Sequence, residues 1–295
     1  AGRYIGVNAL AAIGSTTSLI FLVTGWLQGI TSGFSIMVAQ SFGAKDYQQM
    51  RRYVAMSVYL CVAFVVAMTA GLMIFNVPIL RLMNTPEEII GQTAAYMGII
   101  YAGLCVTAAY NAFAAVLRAL GDGRSPLYFL IISAVINAGL DVLFIMKFHM
   151  GVEGCAYATV IAQGISALLC LVYIILKFDI LKLQKADFEP DVSMMQRLLS
   201  IGVPMGLQFS ITAIGTIIVQ SAINVFGADY IAGYAAAGKL QNMVNTIFIA
   251  FGATIATFVG QNRGAGRLDR VRQGVKDTQI MILIAAAASI SLQGS

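Results

Sequence analysis

The chain has 295 residues, of which 59% are hydrophobic and only 11% charged, with a net charge of +5. Soluble domains carry about a quarter charged residues, so this composition excludes a water-facing surface and calls for a bilayer against the outer faces. The positive balance does not point to nucleic acid: the Lys and Arg residues sit in short loops between apolar runs, with no basic stripe and no aromatic stacking platform.

A spanning helix needs about 20 mostly apolar residues. In chain order the apolar runs predict eight spans, over 9–40, 53–76, 89–117, 127–147, 152–176, 198–225, 230–261 and 275–293. The first, third and seventh are long enough to tilt. The breaks carry turn or loop chemistry at Gly43-Ala44-Lys45-Asp46, Asn84-Thr85-Pro86 and Gly121-Asp122-Gly123, and in the mixed-charge stretch from Lys177 to Arg197. Threading the spans through a membrane separates the cations. One set of alternate loops holds 14, among them Lys45, Arg51, Arg52, Arg118, Arg124, Lys177, Arg263 and Arg272; the other holds only Arg3, Arg81 and Lys147. The positive-inside rule puts the first set in the cytoplasm. Lys239 alone falls inside a span, about ten residues into the seventh.

Other chemistry has little to build with. Cys61, Cys105, Cys155 and Cys170 lie inside apolar runs without a CxxC pair, and His149 is the one histidine, so a zinc site or a His-based triad lacks its parts. No GxxxxGK[ST] motif occurs, so energy must come from an ion gradient and not from ATP; the expected cofactor is none beyond a coupling ion, H+ or Na+.

An internal repeat organises the chain. Gly6 to Val54 aligns without a gap onto Gly227 to Val275, with about a fifth of the window identical. Val38-Ala39-Gln40-Ser41-Phe42-Gly43-Ala44 meets Val259-Gly260-Gln261-Asn262-Arg263-Gly264-Ala265, and Arg51 meets Arg272. Six predicted helices separate the copies, so both cross the bilayer in the same sense, as parallel repeats do. The fold class expected is an all-α polytopic membrane protein of two six-helix lobes, incomplete in this chain: an N-terminal lobe over 1–176 holding helices 2–6, a cytoplasmic linker over 177–197, and part of a C-terminal lobe over 198–295 holding helices 7–9. One helix before Ala1 and about three after Ser295 complete that scheme.

The fourth span holds the sharpest chemical signal, Asn137-Ala-Gly-Leu-Asp141. A carboxylate there costs roughly 2.5–3.5 kcal/mol on insertion scales. Four residues apart, Asn137 and Asp141 share one helix face. Such a pair can face a cavity, bind a cation or hold a proton; alternatively Asp141 marks a wet helix end. Thr159 and Gln163 in the fifth span have the same spacing, suited either to completing an oxygen-rich site or to ordinary helix–helix bonding. Lys239 either lines a cavity or snorkels. Gln208, after the break expected at Pro204, suits a cavity wall.

Several stretches in order resemble the multidrug and toxic compound extrusion family: Gln40-Ser41-Phe42-Gly43-Ala44, Arg118-Ala-Leu-Gly121-Asp122 with Pro126, Asn137-x-x-x-Asp141, Gly151-x-x-Gly154-Cys-Ala156-x-Ala158-Thr159, and Gly202-Val-Pro204. The resemblance implies two six-helix lobes in a V around a central cavity. It implies a multi-pass plasma-membrane protein, monomeric, exporting small organic compounds, often cationic, in exchange for H+ or Na+. It places Asn137, Asp141 and Thr159 at the cation site of the N-terminal lobe, whose partner aspartate belongs to a helix preceding Ala1. Where some relatives carry an acidic residue after the helix-7 proline, this chain reads Gln208-Phe-Ser-Ile211. The expected substrate cavity draws on Gln163, Gln208 and Lys239. Rival readings are a lipid-linked oligosaccharide flippase of the same superfamily, which needs more cavity cations than Lys239, and an uncoupled receptor or channel. A membrane-embedded enzyme lacks clustered carboxylates or histidines.

Overall fold

The computed structural model describes residues 12–14, 16–83, 85–223 and 228–293, without the side chains of 217, 220, 221, 223, 228–237, 239–243 and 290–293. Among these residues the elements are helices joined by short turns: α1 (Thr17–Gly43), α2 (Tyr47–Ile74), α3 (Asn76–Leu82), α4 (Glu87–Ala102), α5 (Leu104–Ala119), α6 (Arg124–Met146), α7 (Gly151–Lys177), two 3-10 turns (Asp179–Leu181 and Lys185–Phe188), α8 (Val192–Ile223), α9 (Ala228–Gly264) and α10 (Leu268–Gln293). Six are long and apolar enough to cross a bilayer, and α4 with α5 makes a seventh if the pair is one span. The chain is a multi-pass, all-helical membrane protein.

Three expectations need adjusting. The span over 89–117 is a bent pair, with 44° between α4 and α5. The break falls at Gly103, where a Cβ would stand 2.4 Å from the Val160 side chain of α7, so the chain turns where only a hydrogen fits. The expected span 275–293 belongs to α10, which starts earlier, at Leu268, and runs to Gln293. No break occurs at Pro204: α8 is one helix from Val192 to Ile223 with the proline inside it.

The core has two layers along the bundle. One surrounds Phe34, Met50, Tyr110, Leu117, Cys170 and Leu198, at the end rich in basic loops. The other surrounds Leu27, Met97, Tyr101, Leu104 and Cys155, toward the opposite end. Outward-facing Val62, Val66, Val135, Leu176, Ile218 and Leu283 are exposed. In lipid that exposure is favourable, since the solvent for these faces is hydrocarbon.

α8 lies against α1 far more closely than against α9. Gly29 and Gly33 of α1 make this crossing: a Cβ at either would stand 2.5 Å from the backbone of Met205 or Gly202. Small residues let two backbones approach where lipid supplies no hydrophobic drive between helices.

The repeat is visible in the backbone. α1 ends at Gly43 and α9 at Gly264; α2 starts at Tyr47 and α10 at Leu268. Both pairs are separated by the same stretch of chain, the one that aligns the two copies in the sequence. The caps repeat too. Lys45 N–H donates to Phe42 and Asp46 N–H to Ser41; Gly266 N–H donates to Arg263 and Arg267 N–H to Asn262. Lys45 and Gly266 both turn with positive φ, 58° and 71°. This is the Schellman way of closing a helix, built twice.

The stretch 177–197 is docked along α2, not slack. The guanidinium of Arg51 donates to Asp187 at 3.0 Å and that of Arg52 to Asp191 at 3.2 Å. Tyr59 donates to the Phe188 carbonyl. Asp187 is buried and also accepts the Gln184 amide at 2.8 Å. Phe178, Ile180 and Phe188 pack on the first core layer.

Candidate functional site

α6 and α7 are stitched by two hydroxyls. Ser133 donates to the Ala162 carbonyl at 2.6 Å, and Ser166 to the Phe129 carbonyl at 3.1 Å. These bonds fix an antiparallel register. Carried along α6, it sets Asn137 beside Ala158 and Asp141 beside Gly154 and Cys155. The carboxylate of Asp141 accordingly acts on the Cys155 thiol, and on the phenol of Tyr96 from α4. Sequence reasoning passed over both neighbours, because neither shares a helix face with Asp141.

Asp141 stands five residues before α6 ends at Met146. Its Oδ1 is buried without a hydrogen-bond partner among the described residues, and so are Nδ2 of Asn137 and Oε1 of Gln163. Leaving such groups unmade costs roughly 1–3 kcal/mol each, more for a charge. Three unmet polar atoms thus lie along the α6–α7 pair. Thr159 is half-buried on the same stretch of α7, but its hydroxyl proton goes to its own helix, to the Cys155 carbonyl at 2.9 Å. Only its lone pairs are left to face a cation. The structure thus brings Asn137, Asp141, Thr159 and Gln163 onto one helix pair.

The two other expected residues are not gathered there. Gln208 is exposed on α8, which packs on α1. Lys239 lies within α9, and its side chain is outside the described residues.

A cleft of about 720 Å³ opens between α1, α2, α3 and α8, walled by Trp26, Phe64, Met68, Phe75, Pro78 and, from α8, Ser210. It lies toward the end opposite the basic loops. Neither Gln163 nor Gln208 lines it. Trp26, the one tryptophan, was the available signal in the sequence for an aromatic wall.

The Gly121-Asp122-Gly123 turn also has a defined job. Gly121, with φ 91°, closes α5, and the Asp122 amide returns to the Leu117 carbonyl. The Asp122 carboxylate accepts the Ser125 amide and hydroxyl at 3.0 and 2.7 Å and the Tyr173 hydroxyl at 2.9 Å, tying α5, α6 and α7 at the basic end. Partial burial of Asp122 opposes its charge, but these donors and nearby Lys177 outweigh it and hold the carboxyl below its usual range.

Comparison with known proteins agrees with the fold. A family model described as MatE matches residues 1–143 and 204–292. The chain is 33% identical over 284 residues to the probable multidrug resistance protein YoeA of Bacillus subtilis (strain 168), covering 93% of this chain and 61% of that protein. It is 30% identical over 274 residues to the probable multidrug resistance protein YpnP of the same organism, covering 92% of this chain and 60% of that one. The chain therefore spans about three-fifths of the length of these curated relatives. A crystal structure of MATE in the bent conformation superposes with a TM-score of 0.89 at 20% identity, over 98% of this chain and 66% of that one. On the family match, this chain belongs to the MatE family, the group that its loop and helix motifs resemble.

Proposed function

We propose that the protein takes part in exporting small organic cations, drugs or metabolites, in exchange for H+ or Na+ by alternating access. The observation that carries this reading is the unmet Oδ1 of Asp141, buried one helical turn from the unmet Nδ2 of Asn137. An intramembrane carboxylate with an oxygen left unbonded is costly and suits reversible neutralisation by a small cation. Asp141 binds the ion, assisted by Asn137 and by the lone pairs of Thr159. Ion binding moves the equilibrium between conformations only by its differential affinity for them. The similarity to YoeA and YpnP, both described as probable multidrug resistance proteins, supports drugs as the cargo. The apolar, aromatic cleft beside Trp26 suits an organic molecule's hydrophobic part.

The test has two arms. Radioactive Na+ binding to the protein in lipid nanodiscs, and proton uptake at low Na+, compare the wild type with Asp141→Asn. Saturable uptake of either ion, lost in Asp141→Asn, supports the site; equal uptake by both proteins refutes it. Efflux of a cationic dye from vesicles under a pH gradient, then under a Na+ gradient, tests the antiport.

A further inference from the structure

We propose that the touching ends of α1 and α9 form a latch between the two halves of the chain, with Gln261 as its bolt, and that this latch governs whether the basic end is open or closed. The positive-inside rule assigns that end to the cytoplasm.

The contact is reciprocal. A Cβ at Gly43 would stand 1.9 Å from the carbonyl oxygen of Gln261, and a Cβ at Gly264 would stand 1.9 Å from the carbonyl oxygen of Gln40. Both obstacles are backbone, so no side-chain rotation relieves them. Between these points Gly260 meets Ala39, at 3.1 Å from a would-be Cβ to the Ala39 Cβ. The internal repeat maps Ala39 onto Gly260 and exchanges the other two pairings, so the two ends pack on each other about a local two-fold axis.

Gln261 adds a directional bond. Its Nε2 donates at 2.7 Å to the carbonyl of Ala119, the last residue of α5. The last carbonyls of a helix have no partner within it, so this amide meets a need that the first half leaves open. Ala119 is fully buried and Gln261 half-buried, so the bond sits at the margin of the packed core.

The seam is built to part. Among the described residues, the ion pairs lie within the first half, within the linker, or between the two at Asp187 and Asp191; none joins α1–α7 to α8–α10. Lys45 and Asp46 follow α1, and Arg263, Arg267, Asp269 and Arg270 lie around the end of α9 and the start of α10, so cations outnumber carboxylates in these segments. When the ends separate, water at the interface can satisfy both the Ala119 carbonyl and the Gln261 amide. A neutral hydrogen bond and close backbone packing thus hold the closed state. The latch stands apart from the Asp141 reading, since none of its atoms belongs to α6 or α7.

Pulsed dipolar spectroscopy on the protein in nanodiscs tests this. Nitroxides are placed by Gln48→Cys and Asp269→Cys, exposed positions one residue into α2 and α10, with the four native cysteines replaced by alanine. The parent should give one narrow distance. Gln261→Ala, which adds no bulk, should add a longer population, and Gly264→Ala should make the longer distance dominant. Gly215→Ala, whose Cβ meets open space, should change nothing. Parent-like distances in both Gln261→Ala and Gly264→Ala, at parent helix content, would overturn the latch. A shift in Gly264→Ala alone overturns the role given to Gln261. If Gly264→Ala does not fold, Gln261→Ala decides the matter by itself.

Discussion

Gly43 and Gly264 hold equivalent places in the two repeats, and each presses its bare Cα against the carbonyl of the glutamine three residues before the other. A methyl group at either position meets the same obstacle at the same distance. Gly43→Ala and Gly264→Ala should therefore destabilise alike, by roughly 1–3 kcal/mol as overpacked sites do. Thermal unfolding in detergent checks this: two similar falls in Tm are expected, against none for Gly123→Ala, where a Cβ meets open space.

The two helix caps are the same motif with different residues at the turn. Lys45 holds φ 58° where its counterpart Gly266 holds φ 71°. A side chain in this left-handed region costs about 1 kcal/mol or more relative to glycine. Lys45→Gly should raise Tm, and Gly266→Lys should lower it by a similar amount. Opposite signs are the required outcome; equal signs would mean that context outweighs the turn.

The strap along α2 predicts an uneven cost of charge removal. Asp187 is buried against Arg51, whereas Asp179 and Lys182 form an exposed pair. Asp187→Ala strands a half-buried guanidinium and the Gln184 amide, and should cost roughly 3 kcal/mol. Asp179→Ala should cost about 0–1 kcal/mol, as surface pairs do. Limited proteolysis between residues 178 and 191 should accelerate only in Asp187→Ala.

Acid should loosen the turn at Asp122. Its folded pKa is depressed, so its contribution is full above the unfolded carboxylate value of about 3.9 and is lost as pH falls through the lower folded value. Amide exchange at Ser125, corrected for intrinsic rate, should rise below about pH 4 in the wild type. In Asp122→Asn it should be raised already at neutral pH and change little on acidification.

Asp141 should trade stability for function. Asp141→Leu removes an unmet buried oxygen and replaces it with lipid-compatible surface. The variant should unfold at higher temperature, by roughly 1–3 kcal/mol, while losing ion uptake. A lower Tm would mean that the carboxylate is satisfied in the folded protein after all.

Much of this architecture was legible in the sequence, for identifiable reasons. The repeated Gln-x-x-Gly motifs mark helix ends that coincide with Gly43 and Gly264, because a helix terminus is written locally, in a cap. Asn137 and Asp141 stood out because a polar pair in an apolar run has few innocent explanations. The bend at Gly103 depends on Val160, a residue of another helix far along the chain, and no local pattern announces it. Pro204 misled the reading of α8, since a helix can carry an internal proline when its neighbours hold it. Tyr96 and Cys155 became neighbours of Asp141 only through the register of α6, α7 and α4. Gln261 looked like half of a repeat, and its bond to Ala119 is made across the fold.

The docked linker has a mechanical consequence. A mixed-charge connector without an apolar run suggests a tether with spare length, free to pay out as two bodies swing. Arg51 and Arg52 fasten it instead, up to the residue before α8 begins. Any rocking of one half against the other must then come from sliding and tilting of helices at their glycine-lined crossings. Such a stroke would be limited to what α8 can move against α1, the motion of a stiff lever and not of two weights on a string.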